Sequence, residues 1–212
     1  MSKDIRATHA FGLYCFLIAI YLSVGGLLQY RFGVLGISIN EVFLLALPAV
    51  LYAKLTDLSL SKTFPLRPIG FQDFLIVFLL TALVIAPIEL LVRLQEHFWP
   101  LPKTIASFYE HLIHREKWWD GIVQIVVLAL IPAVCEELFF RGLLQSLMTP
   151  YFGPFKCILF TSLLFSVAHL NPWYLPYYFL LGVYLGWLRY WKNNLVLCIL
   201  AHLANNIYSL YS

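Results

Sequence analysis

The chain has 212 residues, 61% of them hydrophobic and only 12% charged, with a mean hydropathy of +0.81. A soluble domain of this length could not cover its surface with so few polar groups, so the composition points to an integral membrane protein. The net charge of +3 is scattered, without a basic run, which argues against a nucleic-acid partner.

About twenty apolar residues cross a ~30 Å hydrocarbon core. By that measure the chain reads as all-α and polytopic, with about seven transmembrane helices and one interfacial amphipathic helix in a single domain, 1–212. The first span is 11–30. Lys3 and Arg6 precede it, but no small-residue cleavage site follows, so it is expected to be retained and not removed as a signal peptide. The second is 37–55, with Glu41 near its start, and a connection rich in Ser, Lys and Pro covers 56–70. In the third, 71–94, Glu89 and Arg93 form an acid-first pair four apart.

The connection 97–120 holds Ile105, Phe108, Tyr109, Leu112 and Ile113 at helical spacing. Pro102, Ser107 and Glu110 are start signals, and Trp99, Trp118 and Trp119 flank it as interface anchors. A helix on the membrane surface is expected over 104–116, either capping a cavity or serving as a packed connector. The remaining spans are 121–148, 155–170, 175–191 and 195–211, the fifth ended by Asn171-Pro172 because a residue before proline avoids the helical region.

With seven spans, the side holding the N-terminus collects Lys3, Arg6, Lys54, Lys62, Arg67, Lys156, Arg189 and Lys192. The other side collects Arg31, Lys103, Arg115 and Lys117, with Arg93 at a span end. That balance favours a cytoplasmic N-terminus. The four cysteines, Cys15, Cys135, Cys157 and Cys198, fall inside apolar runs and read as small buried hydrophobes, not as a disulfide framework or a zinc cluster.

The fourth span carries Cys135-Glu136-Glu137-Leu138-Phe139-Phe140-Arg141. An ionisable residue at the bilayer centre costs at least ~2.5 kcal/mol, so three need partners or a purpose. Glu137 and Arg141, four apart with the acid first, supply an ion pair on one face. Glu136 lies roughly 100° round the helix and is the carboxylate left over. Pro132, one turn earlier, removes a backbone hydrogen bond and favours a kink beside it.

Two histidines are embedded: His169 in the fifth span and His202 in the seventh, the latter sharing a helix face with Asn206. At 1.5 Å per residue, Glu136, His169 and His202 lie roughly 18, 22 and 12 Å from the N-terminal side, depths compatible with one site. If they converge, the carboxylate in an apolar, partly wet cavity can take a proton from water, and histidine can share it or donate to a leaving amine. His202 and Asn206 could direct donors at the oxyanion of a tetrahedral intermediate. No nucleophile elbow is present, and Cys135 points elsewhere on its helix, which makes a cysteine mechanism a weak rival.

Glu136-Glu137-x-x-x-Arg141, Phe165-x-x-x-His169 and His202-x-x-x-Asn206, in that order on three spans, resemble the CAAX-protease and bacteriocin-processing family, which includes the type II CAAX prenyl endopeptidases. The motifs cover the protease core, about 121–212. The stretch 64–71 also resembles the short linker of bacterial members, which implies a prokaryotic inner or plasma membrane. The resemblance implies glutamate-dependent peptide hydrolysis of a membrane-associated peptide or protein. Glu136 and His169 would activate water, His202 and Asn206 would form the oxyanion site, and Glu137 and Arg141 would support them. It implies no cofactor.

Alternatives remain open. Glu136, His169 and His202 could hold zinc with an open fourth position, although there is no His-Glu-x-x-His and Asn206 suits an oxyanion better than a metal. A non-catalytic scaffold or immunity protein would not need Glu136 unpaired. A transporter would use the same residue types, but no inverted repeat is visible. The substrate, its prenylation and the oligomeric state are not written in the sequence.

Overall fold

In hydrocarbon every backbone N–H and C=O must be paired within its own segment, so apolar runs of this length fold as helices. The computed structural model describes residues 3–113 and 117–211, and no strand occurs among them. Its longer helices are α1 (3–32), α2 (34–55), α3 (Phe71–Phe98), α4 (Lys103–Ile113), α5 (120–152), α6 (Pro154–Ala168), α7 (Leu175–Lys192) and α8 (Leu195–Tyr211). Among the described residues α1, α2, α3 and α5 are long and apolar enough to cross a membrane, while α6 and α8 are shorter apolar helices. α7 has 18 residues and places Arg189 and Lys192 in its last turn. All seven coincide with the expected spans, and α4 is the expected amphipathic connector. Arg115, Glu116 and the Phe108 side chain lie outside what is described.

α5 is the central helix, packed against α1, α2, α6, α7 and α8. Its Phe139, Phe140, Leu143 and Leu144 are buried with Phe165 of α6, Leu181, Leu185 and Leu188 of α7 and Leu197 of α8. Phe16, Leu27, Leu83 and Phe155 point outward, as expected of side chains facing lipid. Cys15 corrects its sequence reading. It is exposed, because α1 turns Tyr14 and Leu17 inward and leaves the position between them outside; the other three cysteines are buried as expected.

Helix α7 sits tightly on α6. A Cβ on Gly182 would come within 2.9 Å of Ser162 Cβ, and one on Gly186 within 3.1 Å of Ile158. This is the small-xxx-small packing by which membrane helices approach closely. The linker is fastened to the start of α8, where Leu195 N–H donates to the Pro65 carbonyl at 2.9 Å. The Asn194 side chain also bonds both N–H and C=O of Arg67.

Among the described residues four segments are π-helical: Tyr21–Gly25, Glu41–Ala46, Ile125–Leu130 and Leu138–Leu144. Two of them end two residues before a proline, Pro48 in α2 and Pro132 in α5. Proline lacks an N–H and crowds the carbonyl four residues back, and a widened turn relieves both problems. The disturbance expected at Pro132 therefore takes the form of a wide turn that ends at Leu130, six residues before Glu136.

Candidate active site

Glu136 and Glu137 occupy the α-helical stretch Ile131–Glu137, held between the two π segments of α5. The ion pair read from spacing is present, with Arg141 Nη1 donating to Glu137 Oε1 at 2.8 Å and both side chains buried. Arg141 Nη2 donates to the Gly182 carbonyl at 3.2 Å, and its guanidinium lies 4.3 Å over the Phe165 ring. These contacts satisfy a cation that would otherwise be costly to bury.

The same Glu137 oxygen accepts the Nδ1–H of His202 at 2.9 Å, a contact absent from the sequence reading. It fixes the imidazole so that Nε2 lies 3.8 Å from Glu136 Oε2. His169 approaches from α6. It follows the last residue of that helix, Ala168, and closes it as a C-cap, because Leu170 turns to φ 52° ahead of Asn171-Pro172. Its Nδ1–H donates to the Phe165 carbonyl at 2.8 Å, since a carbonyl can only accept, leaving Nε2 3.9 Å from Glu136 Oε2. The ring stacks on Tyr178 at 3.6 Å between centroids.

Three atoms thus face one another: a carboxylate oxygen and two imidazole nitrogens whose protons are held on the far side of each ring. Glu136 Oε2 is buried and has no hydrogen-bond partner among the described residues. In their neutral tautomers all three are acceptors, and a species with O–H groups to donate completes the set.

Asn206 lies one turn beyond His202 on α8, but its amide is directed at α5. Nδ2 donates to the Ala129 carbonyl at 3.3 Å, and Oδ1 accepts from Asn205 at 3.4 Å. Asn205 in turn accepts from the Tyr177 hydroxyl at 2.9 Å. Among the described residues, no three His, Cys, Asp or Glu side chains group as a metal site.

Near His169, hydrogen bonds tie α4 to α5 and to the start of the loop after α6, and tie α3 to the start of α7. Asn171 Nδ2 donates to the Tyr109 hydroxyl at 2.8 Å, Gln124 donates to the Leu112 carbonyl at 3.3 Å, and the Tyr174 hydroxyl donates to Glu96 at 2.8 Å. Glu89 and Arg93 form their expected pair at 3.0 Å on α3, with Arg93 largely exposed.

Residues 117–208 match the family model described as type II CAAX prenyl endopeptidase Rce1-like. Over those residues the chain is similar to the CAAX-protease family. The matched segment begins just before α5 and ends within α8, so it holds Glu136, Glu137, Arg141, His169, His202 and Asn206 together. No curated protein and no solved structure matches the chain. The apolar helices make this an integral membrane protein, and its likeness over 117–208 is to a protease family.

Residues outside the sequence reading are Tyr178, the Gly182 carbonyl and the Glu137–His202 bond. Gly182-x-x-x-Gly186 was the available signal for the α6–α7 approach. Tyr178 and the Glu137–His202 bond have no local pattern.

Proposed function

We propose that the protein is an intramembrane endopeptidase that hydrolyses a peptide bond of a membrane-associated substrate with water activated by Glu136. The observation that carries this reading is the placing of Glu136 Oε2 between two histidine Nε2 atoms at 3.8 and 3.9 Å. A water between them donates one O–H to the carboxylate and the other to an imidazole, which turns an oxygen lone pair toward an incoming carbonyl carbon. As the C–O bond forms, Glu136 takes the water proton, and the proton then passes through His169 to the amide nitrogen as the oxyanion collapses and the C–N bond breaks. Negative charge develops on the carbonyl oxygen. Asn206 meets it by exchanging its bond to the Ala129 carbonyl for the oxyanion, and His202 meets it whenever Nε2 carries a proton. Glu137 and Arg141 hold His202 in place, and none of these steps calls for a cofactor.

The lysine and arginine balance favours a cytoplasmic N-terminus, and the likeness of 64–71 to the linker of bacterial members supports a prokaryotic membrane.

The test is cleavage of membrane-anchored peptides by the purified protein, with Glu136→Gln alongside and with a zinc chelator present or absent. Loss of cleavage in a folded Glu136→Gln, resistant to chelator in the parent, is the expected result. Chelator sensitivity reversed by zinc would replace the glutamate mechanism with a metal one held by Glu136, His169 and His202. Unchanged cleavage in Glu136→Gln would remove Glu136 from the chemistry.

A further inference from the structure

A second carboxyl group stands beside the site and takes no part in the mechanism above. Glu41 opens the π segment Glu41–Ala46 of α2, which packs directly against Ile131–Glu137 of α5. It is 6% exposed, comparable with 8% for Glu136, and its Oε2 has no hydrogen-bond partner among the described residues. Its carboxyl group acts on Tyr21 of α1 and on Cys135 and Glu136 of α5. None of them is a cation.

The adjacent residue repeats the pattern. Asn40 is fully buried and donates Nδ2–H to the Gly25 carbonyl at 3.1 Å, which pins α2 to α1, but its Oδ1 has no partner. Two neighbouring acceptors are therefore buried without donors. The charged groups around Glu136 are Glu41, Glu137 and Arg141, three carboxyl groups with Glu136 itself against one guanidinium, and Arg141 is already taken by Glu137. A buried set with excess acid and unfilled acceptors is complementary to a donor that carries positive charge.

We propose that Glu41 is a substrate subsite whose carboxylate receives the ammonium or guanidinium group of a lysine or arginine near the bond that Glu136 attacks. The subsite rests on the hydrolytic reading above and narrows its substrates to peptides with a basic residue at that position.

The experiment offers the full-length protein in proteoliposomes pairs of membrane-anchored peptides that differ at one scanned position, lysine against norleucine. The ratio of kcat/KM within each pair is the readout. At one position the lysine peptide is expected to be favoured by at least about tenfold, with the ratio falling toward one in Glu41→Gln and retained in Glu41→Asp. A ratio near one at every position in the parent protein overturns the subsite, as does a Glu41→Gln protein that slows both peptides equally. Binding of the same pairs to Glu136→Gln separates recognition from hydrolysis. Tighter binding of the lysine peptide that vanishes on adding Glu41→Gln supports the subsite even where nothing is cleaved, and equal binding refutes it. Absence of cleavage by itself counts only against the hydrolytic reading.

Discussion

Glu137 and His202, 65 residues apart, are joined by a 2.9 Å hydrogen bond on the same carboxylate oxygen that receives Arg141. One acid thus ties α5 to α8 while balancing the buried guanidinium. Replacing Glu137 with Gln leaves Arg141 in the core without a counter-charge, and loss of one partner of a buried pair costs about 3–5 kcal/mol. Denaturant unfolding in detergent should show a loss of that size. The double replacement Glu137→Leu with Arg141→Met should recover much of it, because it leaves no orphaned charge.

Glu136 behaves in the opposite way. Its Oε2 makes no hydrogen bond among the described residues, so Glu136→Gln should move the unfolding free energy by less than about 1 kcal/mol. Removing a general base should nevertheless lower kcat by roughly 10²–10⁴-fold. Turnover and unfolding measured on one preparation check both halves.

The α6–α7 contact sets a third expectation. A methyl group on Gly182 meets Ser162 Cβ at 2.9 Å and Cα at 3.0 Å, so Gly182→Ala must push the helices apart. Overpacking of this kind costs about 1–3 kcal/mol. The Gly182 carbonyl also holds Arg141, so activity should fall together with the thermal midpoint. An Ala variant as stable as the parent would contradict the close packing.

Tyr109→Phe removes the hydroxyl that Asn171 bonds, two residues past His169. The loss should be about 0.5–1.5 kcal/mol, confined to the α4 contact. Hydrogen exchange should therefore rise within Lys103–Ile113 and stay unchanged in α5. Uniform acceleration across the chain would mean that α4 is part of the global fold and not a locally docked element.

What could be read from the sequence follows the reach of each rule. The Glu137–Arg141 and Glu89–Arg93 pairs were legible because helical periodicity brings residues four apart together, and both are present. Span positions were legible from apolar length alone. The depths of Glu136, His169 and His202 along their spans were compatible with one site, and the three side chains do meet. Contacts between helices lie beyond periodicity. Nothing in the spacing announces that His202 would share Glu137 with Arg141, or that Glu41 would meet α5. The outward turn of Cys15 was hidden for the same reason, since an apolar run facing lipid looks like one facing a core.

Helix α6 has 15 residues, about 22 Å of rise, against a hydrocarbon thickness of ~30 Å. A helix that ends several ångströms short of the far leaflet draws that leaflet inward, which brings lipid head groups and their water toward His169. Hydration of the site then depends on acyl-chain length. Vesicles of short-chain lipid should support faster turnover than thick ones, and the bilayer becomes a variable of the reaction.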